Sequence, residues 1–329
     1  MEKEMYYNRK LSENFSQLIE PSGKLRWLFD FVKNQNDLDF LIGKNKTKEW
    51  VSVYRGLSRL ITITKTNSLD IIKIDGADAY KDIMPDLYGN FSTNKNFESL
   101  LFDLLENVRT NKKFDRYYNN RKEGYFQNEL SRKYGINGNS DSEFVIIDKE
   151  AVIGYDKQES KNELFGTLRG KYKDIQRIIS QKDAVRYGKD LENKFIGNEL
   201  DFIAVDRTGN ILLIEYKNGT NTSGIYLSPL QIGLYYDIFT IFDREDFKKA
   251  LISQLKQKQA IGLINPNWEI PKGLKNIVPV LIISEYNYKS SAKEKYHEIM
   301  SICRKKLGQD FLNNIKTFNY TSLEGLKDW

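Results

Sequence analysis

Asp201, Glu215 and Lys217 have the residue types and the spacing for carboxylate-held cation chemistry, and they lie within NELDFIAVDRTGNILLIEYK (198–217). The stretch reads as two β-strands joined by a tight turn, Asp206-Arg207-Thr208-Gly209-Asn210. A three-residue hairpin loop commonly closes with glycine in the left-handed region, and Gly209 has that place. With 207–209 as the loop, residue 206 pairs with 210, and the same register sets Asp201 opposite Glu215. Directly opposed residues have Cβ atoms about 4.5–5.5 Å apart, and like charges there repel. The flanking residues are apolar (Phe202 to Val205, Ile211 to Ile214), the pattern of strands buried on both faces. The simplest reason for two carboxylates in such a place is a divalent cation between them. Lys217 stands beside it, because residues i and i+2 share a strand face.

Composition narrows the chemistry. The chain has 329 residues, 40% hydrophobic and 29% charged, enough for two domains or one large one with insertions. Cys303 and His297 are the only cysteine and histidine, which excludes an intrachain disulfide and cysteine zinc clusters and disfavours histidine-based hydrolases. Metal chemistry must then rest on carboxylates, which select hard cations such as Mg²⁺ or Mn²⁺. The net charge of +6 suits a polyanionic partner without requiring one, since much of it is solvated surface. No apolar run approaches the ~20 residues of a membrane span, and the N-terminal residues lack the apolar core of a signal peptide, so no membrane association and a cytoplasmic location are expected.

The elements that must position these residues follow from periodicity. Residues 1–45 read as mostly helical, and 49–74 as short antiparallel strands separated by Arg55-Gly56 and Asn67-Ser68. Together they predict an N-terminal α+β module over 1–95 with no catalytic motif, ending in the polar linker YGNFSTNKN (88–96). Residues 96–329 predict a second, mixed α/β domain. Its parts are a helix at 97–108, a helix ending near Gly135, a strand in 143–155, a charged helical insert at 160–194, the hairpin, two helices, the strand VPVLIIS and a closing helix. The helix after the hairpin is expected to begin at Ser228, with Pro229 at N1 and Gln231 at N3 completing a capping box. Pro279 predicts that VPVLIIS is near a sheet edge or begins at that point. The basic insert is read either as a phosphate-contacting surface or as a solvated face with i,i+4 ion pairs.

Asp201 followed by Glu215-Tyr216-Lys217, with Gln231-Ile232-Gly233-Leu234-Tyr235 downstream, resembles the PD-(D/E)XK nuclease superfamily and the QxxxY pattern of its RecB-like branch. The resemblance covers about 125–287, and Leu200 stands where the family often has proline. It implies an α/β fold with a restriction-endonuclease-like core: a central mixed sheet flanked by helices. It implies a Mg²⁺-dependent endo- or exodeoxyribonuclease hydrolysing DNA phosphodiesters, with Mn²⁺ able to substitute, in a restriction or phage-defence setting. Asp201, Glu215 and Lys217 would be catalytic. Asp201, Glu215, the Tyr216 carbonyl and Glu129 of the preceding helix would hold metal, and Gln231 and Tyr235 would contact DNA near the site. Beside two carboxylates the Lys217 ammonium stays protonated, so its part is positioning and electrostatics rather than general base. Partners implied are DNA, a second copy of the chain, and a ligand or protein for the N-terminal module. The competing readings are a non-catalytic nucleic-acid-binding module and a ligand-sensing regulatory protein that keep the same fold.

Overall fold

The computed structural model describes residues 5–329 apart from 67, 69, 115–117, 119–121, 183–196, 198, 243, 308–311 and 313. The chain divides into two compact units: Met1–Tyr7 with Asp148–Lys248 and Pro271–Trp329, and Asn8–Ile147 with Lys249–Ile270. A short strand, β1 (Met5–Tyr6), belongs to the first of these.

The second unit begins with helices α1 (Glu13–Ile19) and α2 (Arg26–Asn34). An antiparallel sheet follows, in the order β2 (Asp39–Lys44), β3 (Glu49–Arg55), β4 (Ser58–Lys65), β5 (Ile71–Asp75), β6 (Gly89–Ser92). The short helix α3 (Asp78–Lys81) lies between β5 and β6, and α4 (Glu98–Thr110) and α5 (Glu123–Lys133) come after the sheet. Strands β2 and β6 correct two expectations: 39–44 falls in the stretch read as mostly helical, and 89–92 in the stretch read as linker. Strand β2 has an apolar run of only three residues, Phe40-Leu41-Ile42, and β6 has none, so pairing with β3 and β5 is what makes them strands. Sheet residues Val51, Val53, Ile61, Ile63, Ile72 and Ile74 share one core with Phe29 and Val32 of α2 and Leu101, Leu104, Leu105 and Val108 of α4. The apolar stripe of α4, although C-terminal to residue 95, is buried with this sheet.

Asp37 ties the unit together. Its carboxylate accepts from Arg55 Nε at 2.7 Å and from Arg109 Nε and Nη2 at 2.9 and 2.5 Å. Burial pushes the Asp37 carboxyl up, but the two guanidiniums outweigh it and hold it below the usual carboxylate range.

In the first unit, β7 (Phe144–Ala151), β8 (Gly154–Tyr155) and α6 (Gln158–Lys182) precede the hairpin β9 (Leu200–Asp206) and β10 (Ile211–Asn218). Then come α7 (Thr222–Ile241), α8 (Arg244–Ile261), β11 (Ile277–Ser284), α9 (Ala292–Leu307), β12 (Lys316–Thr321) and β13 (Gly325–Asp328). The chain passes between the units within β7 and again within α8. Strand β1 pairs with β8, and the main sheet runs β13-β12-β11-β10-β9-β7. It is mixed: β9 is antiparallel to β10, while β10, β11 and β12 run parallel. Helix α7 packs on β10 and β11, and α6 and α9 pack on α7. Buried on nearly every side, α7 is apolar around its whole circumference.

The protein is therefore of the mixed α/β class, as expected. Strands β12 and β13 were not expected; KTFNYT has no apolar run, and its place in the sheet is set by pairing with β11 on one side and with the edge strand β13 on the other. Pro279 is neither at a sheet edge nor at the strand start: β11 is an inner strand that begins at Ile277, and Pro279 is its third residue. It precedes Val280, where the β12 ladder begins, so its missing N–H breaks no bond on that side. Residues 183–194 of the charged insert lie outside the described residues. Among the described residues no helix is long and apolar enough to cross a membrane.

Replacing Asp37 with alanine leaves Arg55 and Arg109 without the carboxylate between them and should cost about 2 kcal/mol in urea unfolding at pH 7. The Asp37 pKa is depressed on folding, so this stabilisation is present above the unfolded value of about 3.9 and is lost as pH falls through the lower folded value. The variant should therefore lack that part of the wild-type loss of stability at acid pH.

Candidate active site

The hairpin turn sets the register of everything around it. Asp206 Oδ1 accepts from the N–H groups of Thr208 and Asn210 at 2.9 and 2.8 Å and from Thr208 Oγ1 at 2.8 Å, and Oδ2 accepts from Asn210 Nδ2 at 2.9 Å. Burial raises the Asp206 carboxyl, but these hydrogen bonds to its charged form bring it below the ordinary range. Gly209 has a φ of 91°, and a Cβ there would stand 2.5 Å from the Gly273 carbonyl, so the loop needs glycine on both counts. The resulting ladder pairs Val205 with Ile211 and Phe202 with Ile214, the register expected from the sequence.

The paired ladder ends at Phe202–Ile214, and Asp201 and Glu215 come next. By strand alternation Asp201, Glu215 and Lys217 share one sheet face. Asp201 Oδ2 accepts the Tyr216 N–H at 2.7 Å, so a carboxylate serves a strand amide where the two strands leave each other. The Lys217 ammonium donates directly to Glu215 Oε1. Glu215 is 1% exposed and Lys217 8%, so charges of both signs are held in a largely dry place. On the opposite face the Tyr216 hydroxyl meets the Ser284 hydroxyl of β11, which holds the backbone of residue 216 against its parallel neighbour.

Beyond Lys217 the chain turns at once. Asn218 Oδ1 accepts from Thr220 N and Oγ1, and Asn221 caps α7 by accepting from Gly224 N at 2.9 Å. This corrects the expected helix start. Helix α7 begins at Thr222, Pro229 lies inside it, and Ser228, Pro229 and Gln231 form no capping box. A proline inside a helix leaves the carbonyl four residues back without its donor. For Pro229 that carbonyl is Ile225 O, and Ser228 Oγ donates to it at 2.7 Å. The serine-proline pair is thus read correctly as a local hydrogen-bonding unit but placed wrongly, and Gln231 is left without a capping role.

Gln231 and Tyr235, one helical turn apart, meet the start of β9. A Cβ on Gly197 would lie 2.6 Å from Tyr235 Oη and 3.3 Å from Gln231 Nε2. The buried Tyr235 hydroxyl donates to Glu199 O at 2.7 Å. Burial, and then the negative charges of Glu215, Asp201 and Glu199, push this phenol far up, so it stays protonated and remains a donor. Tyr235 thereby fixes the strand that carries Asp201. Gln231 is half-buried beside it. Glu129 is half-buried on α5, in the other compact unit.

Two residues that position α7 were not anticipated. Tyr172 of α6 is fully buried, and its hydroxyl donates to Asp237 Oδ2 at 2.8 Å; Lys171 Nζ lies 3.1 Å from the same oxygen. The Tyr172 ring covers Gly233, where a Cβ would stand 2.6 Å from it. The signal in the sequence was Asp237, a lone carboxylate in an otherwise apolar helix.

Asp201, Glu215 and the Tyr216 carbonyl offer hard oxygen donors. Among the described residues no group of three or more histidine, cysteine, aspartate or glutamate side chains is gathered for a metal. Mg²⁺ does not need such a group, since it is commonly held by one or two carboxylates with waters and substrate phosphates completing the shell. The donor set fits a magnesium-type ion and does not fit zinc. Comparison with protein-family models, with curated proteins and with solved structures finds no match.

Gly233→Ala gains up to ~1 kcal/mol of helix propensity but drives a methyl into the Tyr172 ring, an overpacking that costs about 1–3 kcal/mol. The variant should unfold at lower denaturant than wild type. Stability equal to or above wild type would show that the ring yields.

Proposed function

We propose that the protein is a metal-dependent nuclease that hydrolyses phosphodiester bonds in DNA, built on a restriction-endonuclease-like core. The observation that carries this reading is the grouping of Asp201, Glu215 and Lys217 on one sheet face where β9 and β10 separate, with the Lys217 ammonium on the Glu215 carboxylate. The order β11-β10-β9-β7, with β11 parallel to β10 and α7 in the crossover, supports it.

Asp201, Glu215 and the Tyr216 carbonyl would hold Mg²⁺, which when bound polarises a phosphate oxygen and lowers the pKa of a bound water. The chain's own part is mainly placement. Tyr216 N–H orients the Asp201 carboxylate, and Tyr235 fixes the strand start through Glu199 O. Lys217, held by Glu215, presents a positive charge beside the place where negative charge would develop at phosphorus. In that reading Gln231 supplies an amide next to the same strand and meets the DNA backbone.

A second reading is favoured by the same contacts. Lys217 on Glu215 and Asp201 on Tyr216 are internal hydrogen bonds, and a nucleic-acid-binding domain without catalysis would keep them to hold the hairpin together. Incubation of purified protein with plasmid and with linear DNA in Mg²⁺ or Mn²⁺ separates the two. Cleavage should be abolished by EDTA and fall by at least about 100-fold in Glu215→Gln and in Lys217→Ala, with DNA binding retained. Cleavage that survives both substitutions would remove these residues from the site, and binding without cleavage under any metal would favour the second reading.

A further inference from the structure

At the opposite end of the parallel strands lies a cleft of about 690 Å³. Its floor is the start of β10, β11 and β12: Ile211, Ile277 with Val278, and Ile315 with Lys316. Tyr236 and Thr240 of α7 and Arg244, Phe247 and Lys248 of α8 form a wall. Glu215 is four positions along β10 from Ile211, so roughly 13 Å separates this cleft from the carboxylates.

The charges in it have one sign. Arg244, Lys248, Lys275 and Lys316 line the cleft, and no carboxylate lines it among the described residues. Lys248 has a surface partner, Glu245, at 3.2 Å, whose side chain is 71% exposed. Among the described residues Arg244, Lys275 and Lys316 form no ion pair. Four cations around one concavity repel each other and attract an anion, and low-dielectric walls strengthen that field. Asn276 and Asn314 add side-chain amides at the rim. The volume lies within the range of small-molecule sites, roughly 300–1,000 Å³. Ile277 and Val278, both half-buried, supply apolar wall for an organic body beside the phosphates.

We propose that this cleft binds a phosphorylated small molecule of nucleotide size, its phosphate chain held by Arg244, Lys275 and Lys316 and its base against the apolar wall. The site is separate from the Asp201–Glu215 cluster and does not depend on the function proposed for it.

The test is calorimetric titration with ATP, with inorganic triphosphate and with a short single-stranded oligonucleotide, all in EDTA so that no metal takes part. ATP should bind more tightly than triphosphate. Lys275→Glu with Lys316→Glu should weaken ATP by at least about tenfold, while Glu215→Gln leaves it unchanged. Both lysines are exposed, so the double variant should keep the wild-type circular dichroism spectrum. In the wild-type protein, ATP should also protect Lys275 and Lys316 from acetylation, read by mass spectrometry. Triphosphate binding as tightly as ATP overturns the nucleotide assignment. No ATP binding at millimolar concentration, binding indifferent to the double substitution, or binding of the oligonucleotide alone overturns the site as a small-molecule pocket.

Discussion

The register of one hairpin is the constraint on which the candidate site depends. A slip of a single residue between β9 and β10 would send Asp201 to the face opposite Glu215 and Lys217. The turn prevents it. Asp206 gathers its hydrogen bonds from residues 208 and 210, and Gly209 adopts a backbone conformation that a side chain would resist. A small, locally determined turn thus decides which charged groups meet several residues away.

The helix that follows holds what the hairpin sets. Helix α7 is buried between the sheet and α6 and α9, and its polar groups are spent on fixing it. Asp237 takes the Tyr172 hydroxyl, Ser228 supplies the hydrogen bond that Pro229 withholds, and Tyr235 reaches the Glu199 carbonyl. A polar group left unsatisfied in such a place would cost about 1–3 kcal/mol, so each is informative about what it positions. The Glu215–Lys217 pair is the costliest of these arrangements, because both charges are removed from water. Its presence at the end of a buried strand is what gives a chemical reading weight beside a structural one.

The two ends of the parallel strands differ in charge. Carboxylates and one lysine gather toward the ends of β9 and β10 that lie away from the turn, and among the described residues cations without carboxylates line the cleft where β10, β11 and β12 begin. Strand polarity brings this about: parallel neighbours put like ends together, so residues distant in sequence, such as Lys275 and Lys316, line one cleft.

The sequence by itself determined the hairpin, its three-residue loop, the register from Val205–Ile211 to Phe202–Ile214 and the mixed α/β class, because alternation, a glycine turn and apolar runs are local signals. It also limited metal chemistry to oxygen ligands by having one histidine and one cysteine. It misplaced the start of α7, since Ser-Pro-x-Gln has the composition of a cap and only the packing of 222–227 shows that the helix is already under way. It passed over β2, β6, β12 and β13, which are strands because of their neighbours rather than their own residues. Tertiary structure alone decided that Tyr172 and Gly233 interlock, that Tyr235 holds the start of β9, and that four basic residues from three separate segments share a cleft. Each of these depends on contacts between segments far apart in the chain, and no local pattern encodes such a distance.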